Sequence, residues 1–361
     1  MIAMNKITGI RSVDFKVVAR GHGVVNWNGS TTVKTVGKDD KLTTRNNHNI
    51  PKLRSYTSIN GAFEDGNPKY KWPEEVDFEK TPLYISQNCI RHHIFREYSV
   101  DMQNPEVVKD MAQLLCSITG LLRGYVIAVS GAEYKRTSPL LITDFVEKKN
   151  QGNFEQFSTS GSKEKKGDKG NATIYSKITF GDTCYLGYGS ISIEQLQFIS
   201  LDDTFSRKAM NIDNDKDGKK LAERLTKMLQ ELDENLSTYY NQQVELDKEY
   251  NGCKYEGHSN IQAVYYKNCV RQGTLFNYGE DGIILNDDAI DVMVNTMKYL
   301  IENLSVHQAK GYMCVEEVNF DYNDSVLAKD TMRIKSKGLD VIKPDKEQRK
   351  YAEYFKGEQY E

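Results

Sequence analysis

Residues 7–20, ITGIRSVDFKVVAR, begin the pattern that decides the fold. Val13, Phe15 and Val17 fall on one face of an extended chain, and polar residues that include Asp14 fall on the other. Because successive side chains of a strand point to opposite faces, this alternation predicts a strand with one buried face. The strand comes first in an order of strand, helices and further strands with long excursions between them. That order predicts an α+β domain with insertions rather than a parallel α/β sheet.

Amphipathic helices are predicted where apolar residues recur every three or four positions. These segments are 86–97, a helix that begins at Asn104-Pro105, 219–236 and 287–304. Further segments have the pattern of strands, namely 123–130, 173–180, 184–193, 261–266, 311–320 and 331–335. Three polar segments are predicted to be surface insertions, namely 158–171, 211–220 and 239–257.

The charge of the chain is unevenly distributed. The 361 residues are 39% hydrophobic and 27% charged, which is typical of a soluble protein with a sizeable core. The net charge is −3, yet residues 1–60 carry ten Lys or Arg against three Asp. This basic segment predicts one surface that faces an anion. A solvated basic face without a partner explains the charge alone equally well.

Signals for export or membrane insertion are missing from the sequence. No run approaches the roughly 18 apolar residues that a membrane span requires, and the N-terminus enters a strand-like pattern without a signal peptide. The six cysteines are scattered without a C-x-x-C pair and are predicted to be reduced thiols. We therefore expect a cytoplasmic protein with no membrane partner.

Motifs for catalysis and metal binding are incomplete in the sequence. Residues 213–218 begin like a calcium-binding loop, but Arg224 occupies the twelfth position, where a Glu would close the coordination shell. Cys89 near His92 and His93 offers at most part of a zinc site. The sequence contains no P-loop, G-x-G-x-x-G or G-x-S-x-G motif. We expect no catalytic site, no metal and no cofactor.

The polar face of the predicted helix 86–97 is the most informative local feature. It carries amide, cationic and aromatic side chains, namely Asn88, Arg91, His92, Phe95 and, at its edge, Arg96. The N-terminal turn, which includes Gln87, adds main-chain N–H groups and the positive end of the helix dipole. Such a face suits a phosphodiester, and Arg91 is predicted to bind a phosphate with two hydrogen bonds. A solvent-facing basic helix is the alternative interpretation.

Weaker signals for RNA binding lie at strand starts and in loops. Lys310-Gly311-Tyr312 partly matches the RNA-recognition strand signature, in which a basic residue contacts the backbone and an aromatic ring stacks on a base. An ordinary strand start explains this match equally well. The other candidates for RNA binding are basic residues near strands or in loops, namely Arg20, His22, Lys52, Arg54, Arg123, Lys135 and Arg136.

Six stretches of the chain, in the same order, resemble one protein family. They are HGVVNWNG (22–29), TPLYISQNCIRHHIFRE (81–97), KRTSPLL (135–141), GSISIEQLQFISLD (189–202), GIILNDDAI (282–290) and HQAKGYM (307–313). The family is the spacer-coating backbone subunit of type I CRISPR Cascade complexes, in the RAMP superfamily. The likeness is closest to the type I-F variant branch and runs through most of residues 7–335.

The resemblance implies an RRM-like (ferredoxin-like) palm with helical finger insertions and a long thumb hairpin, in a single domain over 1–361. In relatives the thumb lies just before the strand that corresponds to SISIEQLQ. It is therefore expected at roughly 142–183, where Phe154 and Phe157 become candidates to wedge beside a flipped base. The other expected segments are a basic loop at 30–80, a helical and loop insertion at 204–260 and a charged C-terminal tail at 340–361.

The resemblance also implies a function in antiviral defence without catalysis. Copies of the subunit would polymerise along the crRNA spacer as a helical filament and present it for base pairing with target DNA. Other partners would be the Cascade subunits that bind the 5′ handle and process the repeat. The first palm helix would grip the guide backbone through Gln87, Asn88, Arg91 and Arg96.

Two alternatives to this function stay open. One is a RAMP-type backbone subunit with metal-dependent endoribonuclease activity on target RNA, in which a loop aspartate such as Asp39, Asp40 or Asp182 promotes cleavage. The other is a structural protein that assembles into filaments without nucleic acid.

Overall fold

A computed structural model describes residues 7–23, 25, 31–36, 42–47, 63–64, 67–68, 82–98, 109–129, 131–148, 155–160, 173–178, 181–246, 255–274, 278–308, 311–324 and 350–358. In chain order the strands are β1 (Ser12–Gly23), β2 (Thr31–Val36), β3 (Leu42–Asn47), β4 (Phe63–Glu64), β5 (Asn67–Pro68), β6 (Tyr84–Ile85), β7 (Tyr125–Val129), β8 (Ala132–Arg136), β9 (Leu140–Ile142), β10 (Phe145–Glu147), β11 (Glu155–Ser160), β12 (Thr173–Ile178), β13 (Asp182–Ser192), β14 (Phe198–Ser200), β15 (Ala263–Arg271), β16 (Gly279–Leu285), β17 (Ser305–Gln308), β18 (Gly311–Asn323) and β19 (Phe355–Glu358). The helices are α1 (Gln87–Ile94), α2 (Met111–Leu115), α3 (Ile193–Gln197), α4 (Asp215–Leu246) and α5 (Asp287–Glu302), with a 3₁₀ turn at Arg96–Tyr98 and a π-helical turn at Thr119–Arg123.

β1 lies inside the main sheet. Among the described residues, seven strands form this antiparallel sheet, in the order β17-β18-β1-β13-β10-β6, with β9 also paired to β13. The predicted alternation is present, since Val13, Phe15 and Val17 are fully buried. Asp14, on the opposite face, is buried as well, and its carboxylate accepts hydrogen bonds from Ser190 (2.7 Å) and Asn323 (3.0 Å). The combination of helices with an antiparallel sheet agrees with the predicted mixed α and β composition.

α5 begins as the sequence predicts. The side chain of Asn286 accepts a hydrogen bond from the main-chain N–H of Ala289 (3.0 Å), which caps the first turn. Ile290, Met297 and Ile301 are fully buried on its inner side, and the helix packs against β18 and α4. None of the described helices has the length and apolar character that crossing a membrane requires.

α4 is longer than the sequence predicts. The periodic pattern predicts a helix over 219–236, whereas the helix begins at Asp215 and ends at Leu246. The side chain of Asn214 accepts the main-chain N–H of Asp217 (3.1 Å) at its start. In the turn added at the start Asp215 and Lys216 are exposed, and residues 237–243 at the end are Ser, Thr, Tyr, Asn and Gln. A helix that buries only one stripe of side chains can have as polar a composition as a loop. The sequence therefore predicts a helix shorter than the one in the structure.

The C-terminal segment 350–358 packs against the rest of the chain. The sequence predicts a charged tail over 340–361, but Tyr351, Tyr354 and Phe355 are buried. β19 pairs with β15 in a second antiparallel sheet, whose order is β14-β16-β15-β19. Three aromatic side chains lie among the charged ones, and their burial outweighs the charge of the segment.

Gln197 at the end of α3 holds this segment in place. Its side-chain oxygen accepts the main-chain N–H groups of Tyr354 (2.6 Å) and Phe355 (3.2 Å). Its side-chain nitrogen donates to the main-chain oxygen of Ala352 (3.4 Å). Because Gln197 is itself buried, no water replaces these hydrogen bonds when the amide is removed.

We expect Gln197→Leu to speed amide hydrogen exchange at Tyr354 and Phe355. Each buried N–H group left without an acceptor costs about 1–3 kcal/mol. Mass spectrometry of exchange should show the loss of protection in 350–358, with protection of β1 unchanged. Gln195→Leu, on the same helix with a half-buried side chain, is the matched control. If residues 350–358 of Gln197→Leu exchange as slowly as those of the parent, the amide of Gln197 does not hold the segment.

Two predicted insertions contain short hairpins. Within the expected thumb at 142–183, β11 and β12 pair in antiparallel fashion. β10 precedes this hairpin and β13 follows it, and these two strands pair with each other in the main sheet. Within the expected basic loop at 30–80, β2 pairs with β3 and β4 pairs with β5.

Candidate nucleic-acid interface

The first turn of α1 is capped by groups of the protein itself. Ile90 anchors the helix in the core, and the side chain of Ser86 accepts the main-chain N–H of Cys89 (3.4 Å). The main-chain N–H of Gln87 donates to the carboxylate of Asp144 (2.9 Å). The sequence predicts these N–H groups to be free for an external anion, but an internal hydroxyl and carboxylate accept two of them. Sequence reasoning missed Asp144, which lies far along the chain between β9 and β10.

Two side chains of the predicted polar face point into the protein. Phe95 is fully buried. Arg91 is half-buried, and its guanidinium donates to the main-chain oxygens of Arg123 (3.1 Å) and Leu140 (3.4 Å). Burial, and then the charge of Arg123, lower the pKa of Arg91. Arg91 thus joins α1 to two neighbouring segments instead of presenting its whole guanidinium to a phosphate.

Other polar side chains of α1 and of the 3₁₀ turn that follows it lie at the surface. Asn88, His92 and Arg96 are exposed. Partial burial lowers the pKa of His92, and the positive charges of His93, Arg123 and Arg96 lower it further. The hydrogen bond from Arg91 to the main-chain oxygen of Arg123 places the π-helical turn, which carries Arg123, beside α1. Asn88, His92, Arg96 and Arg123 are called the α1 surface below.

Arg136 has a structural role. Its guanidinium donates to the main-chain oxygens of Phe198 (2.7 Å) and Gln195 (2.6 Å), and burial lowers its pKa to about 10. The residue is 6% exposed, so its charged group is engaged inside the protein and we leave it out of the RNA-binding surface. The neighbouring Lys135 is exposed.

Arg20 and His22 lie on the outer face of β1, each beside a carboxylate. The Nε atom of Arg20 is 2.6 Å from Glu316, and the Nδ1 atom of His22 is 3.1 Å from Asp182. Contacts as exposed as these are screened by water and contribute little to stability. The structure therefore brings both predicted residues to one surface, where an RNA phosphate would compete with the carboxylates.

Several predicted site residues lie outside the described residues, namely Lys52, Arg54, Phe154 and Lys310, with Asp39 and Asp40 of the nuclease alternative. The main chain of Phe157 lies in β11. Asp182, the remaining aspartate of that alternative, is exposed beside His22. The roles predicted for all of these residues stay predictions.

Within the described ranges, no three His, Cys, Asp or Glu side chains cluster as metal ligands. Asp215, in the calcium-like stretch, forms an ion pair with Lys267 (2.6 Å). Asp217 belongs to the first turn of α4. Both residues thus have a structural place at the start of α4, one in an ion pair and one in the first turn.

Comparison with known protein families agrees with the resemblance seen in the sequence. A family model described as type I-Fv CRISPR-associated protein Cas7fv-like matches residues 9–358. No curated protein matches the chain. The family match extends from three residues before β1 to the end of β19, and it confirms the likeness to the type I-F variant branch. The chain therefore belongs to the Cas7fv-like family of type I-Fv CRISPR-associated proteins.

Proposed function

We propose that this chain is a non-catalytic Cascade backbone subunit, and that copies of it polymerise along the crRNA spacer in the cytoplasm. Membership of the Cas7fv-like family supports a role in CRISPR defence. The observation that carries the RNA-binding part is the α1 surface, where His92 and Arg96 are exposed beside the π-helical turn that carries Arg123. Cationic side chains gathered on one surface suit the phosphates of an RNA backbone.

The order of the main sheet supports an RRM-like palm. With β9 and β10 taken as one interrupted strand, the chain runs β1, α1, β9/β10, β13, α5, β18. In the sheet, β18 lies next to β1, β1 next to β13, and β13 next to β9 and β10. A βαββαβ unit is the pattern of ferredoxin-like domains. We therefore assign the palm to the main sheet with α1 and α5.

The β11–β12 hairpin is the part of the chain that we assign to the thumb. It leaves the main sheet after β10 and returns to it at β13, as a hairpin inserted between palm strands would. In this proposal Phe154 and Phe157 wedge beside a flipped base. Base pairing of the exposed crRNA then supplies sequence specificity, while the protein holds the backbone. The further partners are other copies of the chain, the remaining Cascade subunits and target DNA.

Arg96→Ala is expected to weaken binding of every single-stranded RNA alike. Loss of one phosphate contact should also reduce the slope of log affinity against log salt by about 0.7. Fluorescence anisotropy with oligouridine and with a mixed-sequence RNA, over a series of salt concentrations, measures both. Lys220→Ala, which removes an exposed cation from α4, is the matched control and should change neither. If Arg96→Ala binds RNA with the affinity and the salt dependence of the parent, the α1 surface is not part of the RNA interface.

The guide-RNA part is tested in cells that express a CRISPR array. The protein is purified and the RNA that accompanies it is sequenced. We expect crRNA that contains spacers. Bound RNA without enrichment of spacers, or filaments free of RNA, would overturn the proposal. Periodic cuts in target RNA that need Mg²⁺ would instead favour the nuclease alternative.

A further inference from the structure

Three aromatic side chains form a row across one end of the main sheet. His307 on β17 lies directly opposite Tyr312 on β18, and Tyr312 lies directly opposite His22 on β1. Ring centroids are 6.5 Å apart for His307 and Tyr312 and 6.0 Å apart for Tyr312 and His22. The interplanar angles are 27° and 23°, so the rings stand side by side with nearly parallel planes. His307, Tyr312 and His22 are called the aromatic row below.

The aromatic row faces away from the core. Val306 and Met313, the neighbours of His307 and Tyr312 in their strands, are fully buried. Because side chains alternate along a strand, the rings lie on the opposite face. Tyr312 is 47% exposed and is among the most exposed large side chains of the described residues. The row therefore contributes little to the core and offers its rings to a ligand.

Charged groups surround the aromatic row. Arg20 lies two residues before His22 in β1, on the same face, and is 61% exposed. Asp182 beside His22 and Glu316 beside Arg20 are the neighbouring carboxylates. On the other side, α1 contacts β17, the strand that carries His307. The outer strand of the row thus touches the helix that carries the α1 surface.

We propose that the aromatic row is a stacking platform for an unpaired base of single-stranded RNA. This inference rests on the proposed function and adds to it a place for a base, on the face of the main sheet that turns away from the core. Proteins that bind single-stranded RNA combine exposed aromatic rings with cationic grooves, because every base has a π face. A protein partner would favour an apolar centre depleted of charge. This row instead has Arg20, a cation that suits a phosphate, at its edge, and the nearby carboxylates of Asp182 and Glu316 already have partners in His22 and Arg20.

The register explains why sequence reasoning missed the row. The partly matched signature draws attention to Tyr312 alone. His307 and His22 become its neighbours only because three strands pair in one register. No local spacing in the sequence predicts that arrangement.

Tyr312→Ala is expected to weaken binding of oligouridine about ten-fold, the effect of losing one stacked base. The salt dependence should stay unchanged, because the substitution removes no charge. Tyr312→Phe keeps the ring and should bind as the parent does. Tyr278→Ala removes a tyrosine that is 72% exposed and precedes a strand of the second sheet, and it should also bind as the parent does.

An oligoribonucleotide with abasic sites separates base stacking from every other contact. The parent and Tyr312→Ala should bind it equally, because it offers no base to stack. An equal loss on abasic and base-containing RNA, or no loss on either, would overturn the proposal. Thermal unfolding checks that Tyr312→Ala folds, and His307→Ala on the edge strand serves as a second variant with the same expected pattern.

The result for Arg96→Ala keeps the two proposals apart. If Arg96→Ala weakens RNA binding and Tyr312→Ala does not, the RNA interface stands and the aromatic row is not part of it. If neither substitution matters, the proposed interface fails as a whole. If Tyr312→Ala spares RNA binding but abolishes self-association in sedimentation, the row contacts a second copy of the chain and the base-stacking inference is overturned.

Discussion

Replacing His258 by alanine is expected to lower the free energy of unfolding by about 3–5 kcal/mol. His258 lies between two carboxylates, with Nδ1 2.8 Å from Asp233 and Nε2 3.1 Å from Asp291. Its side chain is 17% exposed and that of Asp233 is 8% exposed, so water screens the pairs weakly. Without the imidazolium, the two carboxylates lose the cation that separates them. Urea unfolding of the parent and the variant measures the difference.

The effect should be global, because the site joins distant parts of the chain. Asp233 belongs to α4 and Asp291 to α5. Asp291 also accepts a hydrogen bond from Tyr351 of the C-terminal segment, and Asp233 accepts one from Tyr255 (2.7 Å). Loss of His258 therefore weakens the contact between the two long helices and the segment that contains β19.

The same site predicts a dependence of stability on pH. Hydrogen bonding to Asp291, and then to Asp233, raises the pKa of His258 to about 9 against the opposing effect of burial. In the unfolded chain this pKa is about 6.5. Protonated His258 therefore stabilises the fold fully below about pH 6.5, and the contribution is lost as the pH rises through about 9. The difference in melting temperature between the parent and His258→Ala should shrink over that interval.

Asp291 contributes to the dependence of stability on pH in the acid range. Burial raises the pKa of Asp291, but hydrogen bonds from His258 and Tyr351 outweigh burial, and the pKa is lowered overall. Its contribution is therefore lost as the pH falls below the ordinary carboxyl range. His92→Ala, which removes an exposed histidine, is the control and should change stability by less than about 0.5 kcal/mol. A similarly small change for His258→Ala, constant with pH, would contradict this account.

Local patterns predicted the elements whose causes are local. β1 follows from strict alternation, and α5 follows from Asn286 as a cap before a buried stripe. α4 exceeds its prediction because its added turns, 215–218 and 237–246, have the polar composition of a loop. β19 was missed because burial of Tyr354 and Phe355 depends on α3, far away in the sequence.

The candidate site was less predictable, because its chemistry depends on contacts between distant segments. The sequence shows Arg91, Arg96 and Arg136 as three similar cations. Only the fold places main-chain oxygens around Arg91 and Arg136 and leaves Arg96 exposed. Periodicity found the right helix, but it could not distinguish an arginine that joins segments from one that faces solvent.

Gly189→Ala is expected to destabilise the palm by about 3 kcal/mol or more. Gly189 in β13 lies opposite Phe15 of β1 and Ile142 of β9, at the centre of the main sheet. A Cβ atom there would overlap the ring of Phe15 and lie 2.6 Å from the main-chain oxygen of Leu141. Phe15 is fully buried, so its ring has no space into which to move. The glycine is required for space rather than for backbone freedom.

A double-mutant cycle separates this steric effect from a general weakness of β13. Phe15→Leu alone should also destabilise the protein, because it leaves a cavity in the core. Combined with Gly189→Ala, however, the smaller side chain gives room to the new methyl group. The double variant should therefore lose at least about 1 kcal/mol less than the two single losses together, as measured by urea unfolding. If the two losses simply add, the ring of Phe15 does not account for the glycine, and only the contact with the main chain of Leu141 remains to explain it.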